Sequence, residues 1–391
     1  MSTSIPRDLL LLPNELERKQ MFHLLKKHSS WTAWNRILSY YQKWADITEE
    51  SVRQSDERGL FSKQVLAPNY TPPPGVTDEP DHTSILYQDY VDALKGLALF
   101  DKGVRRLAQG DKRVFTNDEA TGLFERGDAA AHINYYMQSK WKLDDGEIIW
   151  KETTPLMKEF FEAIDEIREA WGECGRTIIE PEERYRDMQF WYGLWHMVFL
   201  PQLPYPNPLP DLPEIFDLVE VKTGEIVPYS GIWEPVEGST HIGAMGYLHG
   251  GRLAPKPRQH YRDKSDLDYG YSSNTQDATW RLLWRDDRYE DGSIPEEERD
   301  YQFLNPPSPG KENLFDIDPW RYLEDRNLPN PLLDDIRPEN MRCEGGNICP
   351  QDGNWWTPAN REGHRSFKKG EIMPDYPASS YGSTIWYRVK E

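Results

Sequence analysis

The chain has 391 residues, and its 66 acidic against 46 basic side chains give a formal net charge of −20. A surface field of this sign repels phosphate backbones and anionic lipids, so we expect neither nucleic acid nor a membrane as a partner. The 15 Trp, 21 Tyr and 13 Phe exclude a disordered chain and predict an aromatic-rich core.

The N-terminal stretch MSTSIPRDLLLLPNELERK lacks the basic region, long apolar region and cleavage site of a secretory signal. The three cysteines of the chain do not make a disulfide framework. The most apolar stretch, residues 190–200, is well short of the roughly 20 residues that span a bilayer. We therefore expect a cytoplasmic protein.

Residues 14–200 carry apolar side chains at intervals of three and four, which is typical of helices. Asn14 with Glu17, and Thr116 with Glu119, have the spacing of a capping box. We predict helices over residues 14–45, 83–110, 117–141, 155–172 and 181–200. The sequence therefore predicts an α-helical domain over residues 1–200.

Residues 201–213 contain six prolines in thirteen positions, which predicts a stiff and extended segment. We interpret this proline-rich segment as the linker that ends the helical domain. The alternative is a proline-rich ligand for an aromatic groove.

Two regions after the linker share one sequence pattern, the first within residues 214–285 and the second within residues 343–391. In each, Pro-x-x-Gly-x-Trp is followed by Gly-x-x-x-Pro and by a closing segment with tryptophan. Proline and glycine favour turns, and tryptophan supplies the apolar body that a unit of about 50 residues needs for a core. The marker residues are Pro228, Gly231, Trp233, Gly251 and Pro255 in the first region, and Cys349, Pro350, Gly353, Trp355, Gly370, Pro374, Gly382 and Trp386 in the second. The predicted fold class is α+β, with an N-terminal α-helical domain followed by a β-rich region built from two related small Trp-marked modules.

Half of the net charge lies between the two modules, in the segment 286–342. Residues 286–339 hold 16 acidic and 6 basic side chains, a net charge of −10. This pattern predicts an acidic partner-binding surface with two tyrosines as anchors. The candidate contact residues are Asp286, Asp287, Tyr289, Glu290, Asp291, Glu296, Glu297, Glu298 and Tyr301. A solubilising loop between the modules is one alternative, and a contact surface on the acidic stretch 144–187 is another.

No motif for catalysis or cofactor binding stands out. Ser230 lies in a predicted turn without a nearby histidine motif, and no glycine-rich phosphate loop precedes a helix. Cys343 and Cys349 with His364 lack the spacing and the fourth ligand of a zinc site. We therefore expect no catalytic residue, no cofactor and no metal. Paired carboxylates and many tryptophans leave a carbohydrate-binding or carbohydrate-active protein as an alternative, and the repeated modules leave a structural docking protein.

The second module resembles the tail modules of immunity proteins from bacterial polymorphic-toxin and type VI secretion systems. The residues that carry the resemblance run from Gly346 through the Cys349–Trp355 motif to Gly370, Pro374 and Trp386. The first module departs from this pattern, because Val227 stands where the second module has Cys349. The resemblance implies a non-enzymatic inhibitor that binds the toxic domain of a cognate effector. An acidic inhibitor suits a toxin with a basic surface, such as a nuclease that acts in the cytoplasm.

Overall fold

The computed structural model describes residues 9–58, 85, 87–144, 154–181, 192–214, 218–263, 271–304, 314–315, 317–332, 342–357, 359–360, 363–377 and 384–388. Within this part of the chain, helices fill the region from residue 15 to residue 202, and the strands lie between residues 220 and 388. The predicted α+β class, with the helical region first and the β-rich region second, is confirmed.

The helices are α1 (Glu15–His28), α2 (Trp31–Glu57), α3 (Tyr87–Leu107), α4 (Leu123–Ala130), α5 (Ile133–Asp144), α6 (Met157–Ile178), α7 (Leu194–Phe199) and α8 (Pro319–Asp325). Short 3-10 helices lie at Lys112–Phe115, Leu200–Gln202 and Glu296–Asp300. Of the helix predicted over 181–200, residues 182–191 lie outside the described residues.

Capping chemistry sets the first two helix starts. The predicted capping box at α1 is present, since the Asn14 N–H donates to the Glu17 carboxylate at 2.7 Å and the Glu17 N–H donates to the Asn14 side chain at 3.0 Å. The single helix predicted over residues 14–45 is wrong. Helix α1 ends at His28, and the Ser30 hydroxyl caps the start of α2 by accepting from the Ala33 N–H at 3.1 Å.

The helix start predicted at Thr116 is also wrong. The Thr116 hydroxyl donates back to the Arg113 carbonyl at 2.8 Å. The Asp118 carboxylate then accepts from the N–H groups of Ala120 and Thr121 at 2.9 and 3.1 Å. These local bonds favour a turn over a helix, so that α4 begins only at Leu123.

The core of the helical region is built around Trp34, which is fully buried. Its ring stacks on Phe124 with a centroid distance of 4.2 Å and meets Trp171 edge-on at 5.3 Å. Phe100 and Phe115 complete the cluster at 6.0 and 5.3 Å. Aromatic pairs of this kind contribute beyond their buried area, which accounts for the use of the many aromatic residues.

The first module contains β1 (Glu220–Lys222), β2 (Gly231–Glu237), β3 (Thr240–His241), β4 (Gly246–Leu248), β5 (Arg258–Arg262), β6 (Tyr271–Thr275) and β7 (Thr279–Arg285). The second contains β8 (Arg342–Glu344), β9 (Gly353–Trp356), β10 (His364–Phe367) and β11 (Ile385–Arg388). The antiparallel order β4-β2-β7-β1 of the first sheet matches the order β10-β9-β11-β8 of the second. The hairpin β5–β6 is an insertion that delays the closing strand of the first module.

The two modules also share their hydrogen bonds and their cores. The Trp280 indole donates to the Pro255 carbonyl at 2.8 Å, and the Trp386 indole donates to the Pro374 carbonyl at 2.7 Å. The core residues occupy equivalent positions, and they are Val221, Val227, Trp233, Leu248, Ala254 and Trp280 in the first module and Cys343, Cys349, Trp355, Phe367, Met373 and Trp386 in the second. Of the marker residues, Gly382 lies outside the described part of the chain.

Candidate partner-binding site

The nine predicted contact residues of the acidic segment differ in their burial. Asp286, Tyr289 and Glu298 are buried. Tyr301 is partly buried, and the exposed members are Asp287, Glu290, Asp291, Glu296 and Glu297. The prediction from composition therefore mixed side chains that face the solvent with side chains that face the interior.

Asp286 belongs to a buried ion network between the first module and the helical region. Its carboxylate lies 2.8 Å from the Arg288 guanidinium and 3.2 Å from the Lys112 ammonium, and it accepts from the Tyr247 hydroxyl at 2.9 Å. Burial opposes the charged form, but Arg288 and Lys112 together keep the pKa of Asp286 below its ordinary value. The negative charge of Asp286 is therefore neutralised inside the protein.

Glu298 and Tyr289 fasten the acidic segment to the start of α2. The Glu298 carboxylate accepts from the N–H and the hydroxyl of Thr32 at 3.1 and 2.9 Å, and also from the Tyr289 hydroxyl. The Tyr289 hydroxyl in turn accepts from the Trp31 N–H at 2.7 Å. A carboxylate at a helix N-terminus satisfies free N–H groups and complements the helix dipole. Their place in the interior corrects the assignment of Asp286, Tyr289 and Glu298 as contact residues, because a partner does not reach them.

The other acidic candidate, residues 144–187, falls partly outside the described residues. Within its described portion, Glu173 and Glu180 are buried. Glu173 pairs with Lys27 at 3.4 Å, and Glu180 pairs with Arg252 at 2.8 Å. These two carboxylates also serve internal ion pairs.

A groove of about 320 Å³ lies beside the exposed part of the acidic segment. One wall is a single face of α1, since its four lining residues are spaced by three and four positions. The proline-rich segment forms the second wall, and the acidic segment with the end of β7 forms the third. The lining residues are Lys19, Phe22, His23 and Lys26 from α1, Pro206, Pro210, Asp211 and Pro213 from the proline-rich segment, and Trp284, Glu297, Asp300 and Tyr301 from the acidic side.

Aromatic rings meet across the groove, and the Lys26 ammonium lies 5.4 Å from the centroid of the Trp284 ring. Phe22 meets Trp284 edge-on at 6.3 Å, and His23 meets Tyr301 edge-on at 5.7 Å. Burial, with the positive charges of Lys27 and Lys26 nearby, lowers the pKa of His23 to about 4. The His23 ring is therefore neutral at pH 7 and adds to the aromatic lining.

Charged side chains form the rim of the groove. Lys19 pairs with Asp211 at 2.6 Å, and Lys26 pairs with Glu297 at 2.7 Å. Asp300 is an exposed lining residue, which leaves the groove with a slight excess of negative charge. An apolar, aromatic centre within a polar rim is the usual anatomy of a protein–protein interface.

The side chains considered for chemistry make hydrogen bonds within their own modules. The Ser230 hydroxyl accepts from the Gly250 N–H at 2.9 Å. The thiols of Cys343 and Cys349 donate to the carbonyls of Ile348 and Gln351 at 3.5 and 3.1 Å. Among the described residues, no cluster of three or more His, Cys, Asp or Glu side chains has an arrangement that would hold a metal ion. Nor does the described part of the chain contain a helix long and apolar enough to cross a membrane.

The sequence did not predict the groove-lining face of α1. Its pattern of lysines beside Phe22 and His23 is also found in ordinary amphipathic helices. The one signal that was available is the proline-rich segment, which now forms a wall of the groove. The acidic segment provides the opposite wall through Glu297 and Tyr301, both of which were predicted as contact residues.

Comparison with known families gives two matches that lie one after the other in the chain. Residues 12–70 and 76–190 match the family model of Immunity protein 71. Residues 214–303 match the family model of Immunity protein 72. Together the matches cover roughly two thirds of the chain, and the second module lies outside both. No curated protein and no solved structure matches the chain.

Proposed function

Because this chain belongs to the immunity proteins of toxin pairs, with an Immunity protein 71 region followed by an Immunity protein 72 region, we propose that it neutralises its cognate toxin by binding across the groove between these regions. The complex occludes the active site of the toxin or the path of its substrate. The inhibitor performs no chemistry of its own.

The observation that carries this proposal is the joint construction of the groove. Lys19, Phe22, His23 and Lys26 belong to the Immunity protein 71 match, whereas Trp284, Glu297, Asp300 and Tyr301 belong to the Immunity protein 72 match. Neither region has this groove by itself. A groove that needs both regions gives a physical reason why the two families occur in one chain.

The exposed carboxylates of the acidic segment support a toxin with a basic surface. Asp287, Glu290, Asp291 and Glu296 lie at the surface of a segment whose buried acids are already neutralised. Glu290 and Glu296 pair with Arg285 and Arg299 at the surface, where water screens such pairs. All four exposed acids still contribute to the negative field of the segment, and charges at an interface rim steer association. We propose a toxin that acts on nucleic acid in the cytoplasm, since such an enzyme needs a basic cleft that an acidic inhibitor can occupy.

The aromatic centre of the groove supports tight binding. Trp, Tyr and Arg side chains dominate the binding energy at protein interfaces, especially where a rim excludes water from them. Trp284 and Tyr301 are such anchors, and the ion pairs of Lys19 and Lys26 supply the rim. In the proposed complex, a side chain of the toxin fills the groove.

The test measures the affinity of the full chain for the catalytically inactivated toxin domain that the neighbouring gene encodes. The variant Asp287→Lys/Glu296→Lys reverses two exposed charges of the acidic segment. Its matched control, Glu162→Lys, reverses a half-exposed charge on α6 outside the groove. We expect the double variant to bind about tenfold more weakly at low salt, with a reduced salt dependence, and the control to bind like wild type. Unchanged affinity and unchanged salt dependence would contradict the acidic surface.

A further inference from the structure

The two modules use one face of their sheets differently. In the first module, the face opposite the Trp233 core packs against the helical region. Ile232 and Tyr247 are paired across β2 and β4 on this face, and both are fully buried in the core that the helices share. From the same face, Glu234 forms an ion pair with Arg18 of α1 at 2.8 Å. The helical region therefore covers this face of the first module.

The equivalent face of the second module is open. The pair of Ile232 with Tyr247 corresponds to the pair of Asn354 with Ser366 on β9 and β10. Both Asn354 and Ser366 are exposed. Polar residues have thus replaced the apolar pair that docks on the helices. No helix among the described residues makes the corresponding contact with this sheet.

An aromatic row crosses the open face. It consists of His364, Trp356, Tyr387 and Arg342, which are neighbours in register on the four successive strands β10, β9, β11 and β8. The Trp356 ring lies 6.4 Å from His364 and 5.4 Å from Tyr387, stacked in both cases. His364 and Arg342 are exposed, and Trp356 and Tyr387 are partly exposed.

The composition of the aromatic row is that of a protein interface. Trp, Tyr and Arg are the residues most enriched among binding hot spots, and a row stacked in advance loses little conformational freedom on binding. In the first module, Glu234 stands at the position of Trp356 and already contacts a helix. The residue at this sheet position therefore contacts a helix in the first module, whereas in the second module it is the partly exposed Trp356.

We propose that the aromatic row is a second docking surface for the toxin, distinct from the groove and acting on a different part of the same partner. This proposal rests on the proposed function. Residues 343–391 carry six basic and six acidic side chains, so the second module is neutral within a chain of net charge −20. It complements a neutral or mildly acidic surface of the toxin, away from the basic cleft. Helices cover the equivalent face of the first module, so this side of the sheet is able to pack against a helical surface.

A second contact surface gives a function to the second module, which lies beyond the Immunity protein 72 match. When one surface has bound, the second binds as an intramolecular event and lengthens the lifetime of the complex. The second module then slows dissociation, whereas the exposed carboxylates of the acidic segment speed association.

The experiment uses the full chain and the inactivated toxin domain encoded by the neighbouring gene. His364→Glu alters an exposed residue of the row, and Trp356→Ala removes its central ring. The matched control is Arg365→Glu, which introduces the same residue at the next position of β10, where the side chain lies on the opposite face of the sheet, near Phe367. Thermal unfolding identifies any variant that fails to fold, and His364→Glu, at an exposed position, keeps the test valid if Trp356→Ala does not fold.

The expected result is a loss of affinity of about tenfold or more for both row variants, mainly through faster dissociation, with Arg365→Glu within about twofold of wild type. If the wild-type chain binds the toxin domain and His364→Glu binds it with the same affinity, the aromatic row is not a docking surface for the toxin. The proposed function then stands. Failure of the wild-type chain to bind the toxin domain overturns both. If His364→Glu instead dissociates a dimer of this chain, or abolishes binding to a panel of oligosaccharides, while toxin affinity is unchanged, the row serves another occupant and the proposal is wrong.

Discussion

The carboxylate of Glu298 lies at the N-terminus of helix α2, where it accepts hydrogen bonds from the backbone N–H and the hydroxyl of Thr32 at 3.1 and 2.9 Å. The two residues belong to different family matches and are 266 positions apart in the chain. An acid of the most negative segment therefore stabilises the helical region. Because this contact and the ion network beside it join both regions, we expect them to unfold together.

Removing Arg288 tests the importance of this network. Its guanidinium contacts Asp286 at 2.8 Å and Glu298 at 3.4 Å, and it donates to Ser29 at 2.7 Å. Arg288→Met leaves Glu298 without its cation and leaves Asp286 with Lys112 alone, which costs about 3–5 kcal/mol of the free energy of unfolding. Urea denaturation at pH 7 measures the change.

The matched control for that variant is Arg299→Met, because Arg299 pairs with Glu296 at the surface, with both side chains largely exposed. We expect a change within about 0.5 kcal/mol for the control. Equal effects of the two variants would show that the buried network does not stabilise the fold.

Acidification should destabilise the protein through its buried histidines. Burial lowers the pKa of His249 to about 4, from an ordinary value of 6.5. The unfolded chain therefore takes up a proton between pH 6.5 and pH 4 while the folded chain does not, so stability is present above pH 6.5 and is lost as the pH falls towards 4.

For His249 alone, the loss between pH 7 and pH 5 is about 1–2 kcal/mol. The variant His249→Gln should show a smaller difference between unfolding at pH 7 and at pH 5 than the wild type. An identical pH dependence in the two proteins would contradict the assignment.

Equivalent glycines in the two modules should differ in their tolerance of a side chain. Gly231 has φ of 159°, and a Cβ there would lie 2.2 Å from the Trp284 carbonyl oxygen. Gly353 has φ of 150°, but its Cβ would meet the flexible side chain of Arg388 at 2.9 Å. Gly231→Ala should cost about 2 kcal/mol or more, and Gly353→Ala clearly less, in thermal or urea unfolding. The reverse order would contradict the register described for these strands.

Tyr301 tests the aromatic centre of the groove. Its ring meets His23 at 5.7 Å and is partly buried. Tyr301→Ala should weaken toxin binding by about tenfold or more, since a truncated anchor leaves a gap within the rim. The control is Tyr229→Ala, whose ring is 38% exposed and lies outside the groove. Surface plasmon resonance measures the affinity of both variants for the toxin domain. Equal affinities of Tyr301→Ala and Tyr229→Ala would exclude Tyr301 as an anchor.

The sequence predicts the fold class and the repeated pattern well, because these depend on local signals. The Asn14–Glu17 capping box is present as its spacing requires. The Pro-x-x-Gly-x-Trp segments mark residues that occupy equivalent places in two sheets of the same order. Two of the helix boundaries failed, since serine or aspartate side chains made local bonds that interrupt the periodic pattern at Ser30 and Asp118.

The acidic surface could be predicted only in part, for a physical reason. Composition counts charges, whereas burial depends on tertiary partners far along the chain. Besides its neighbour Arg288, Asp286 contacts Lys112, which is far away in the sequence, and Glu298 contacts the start of α2. Neither of these distant contacts leaves a local signal. The groove is equally non-local, because it joins one face of α1 to the proline-rich segment and to Tyr301.

In the proposed complex, the toxin binds across the groove formed by the two immunity-protein regions. Hydrogen exchange of the full chain, measured with and without the inactivated toxin domain from the neighbouring gene, tests this binding mode. We expect slower exchange at residues 296–301 and 211–214 in the complex, because these segments line the groove. A complex that forms without any change of exchange in these two segments would contradict this binding mode.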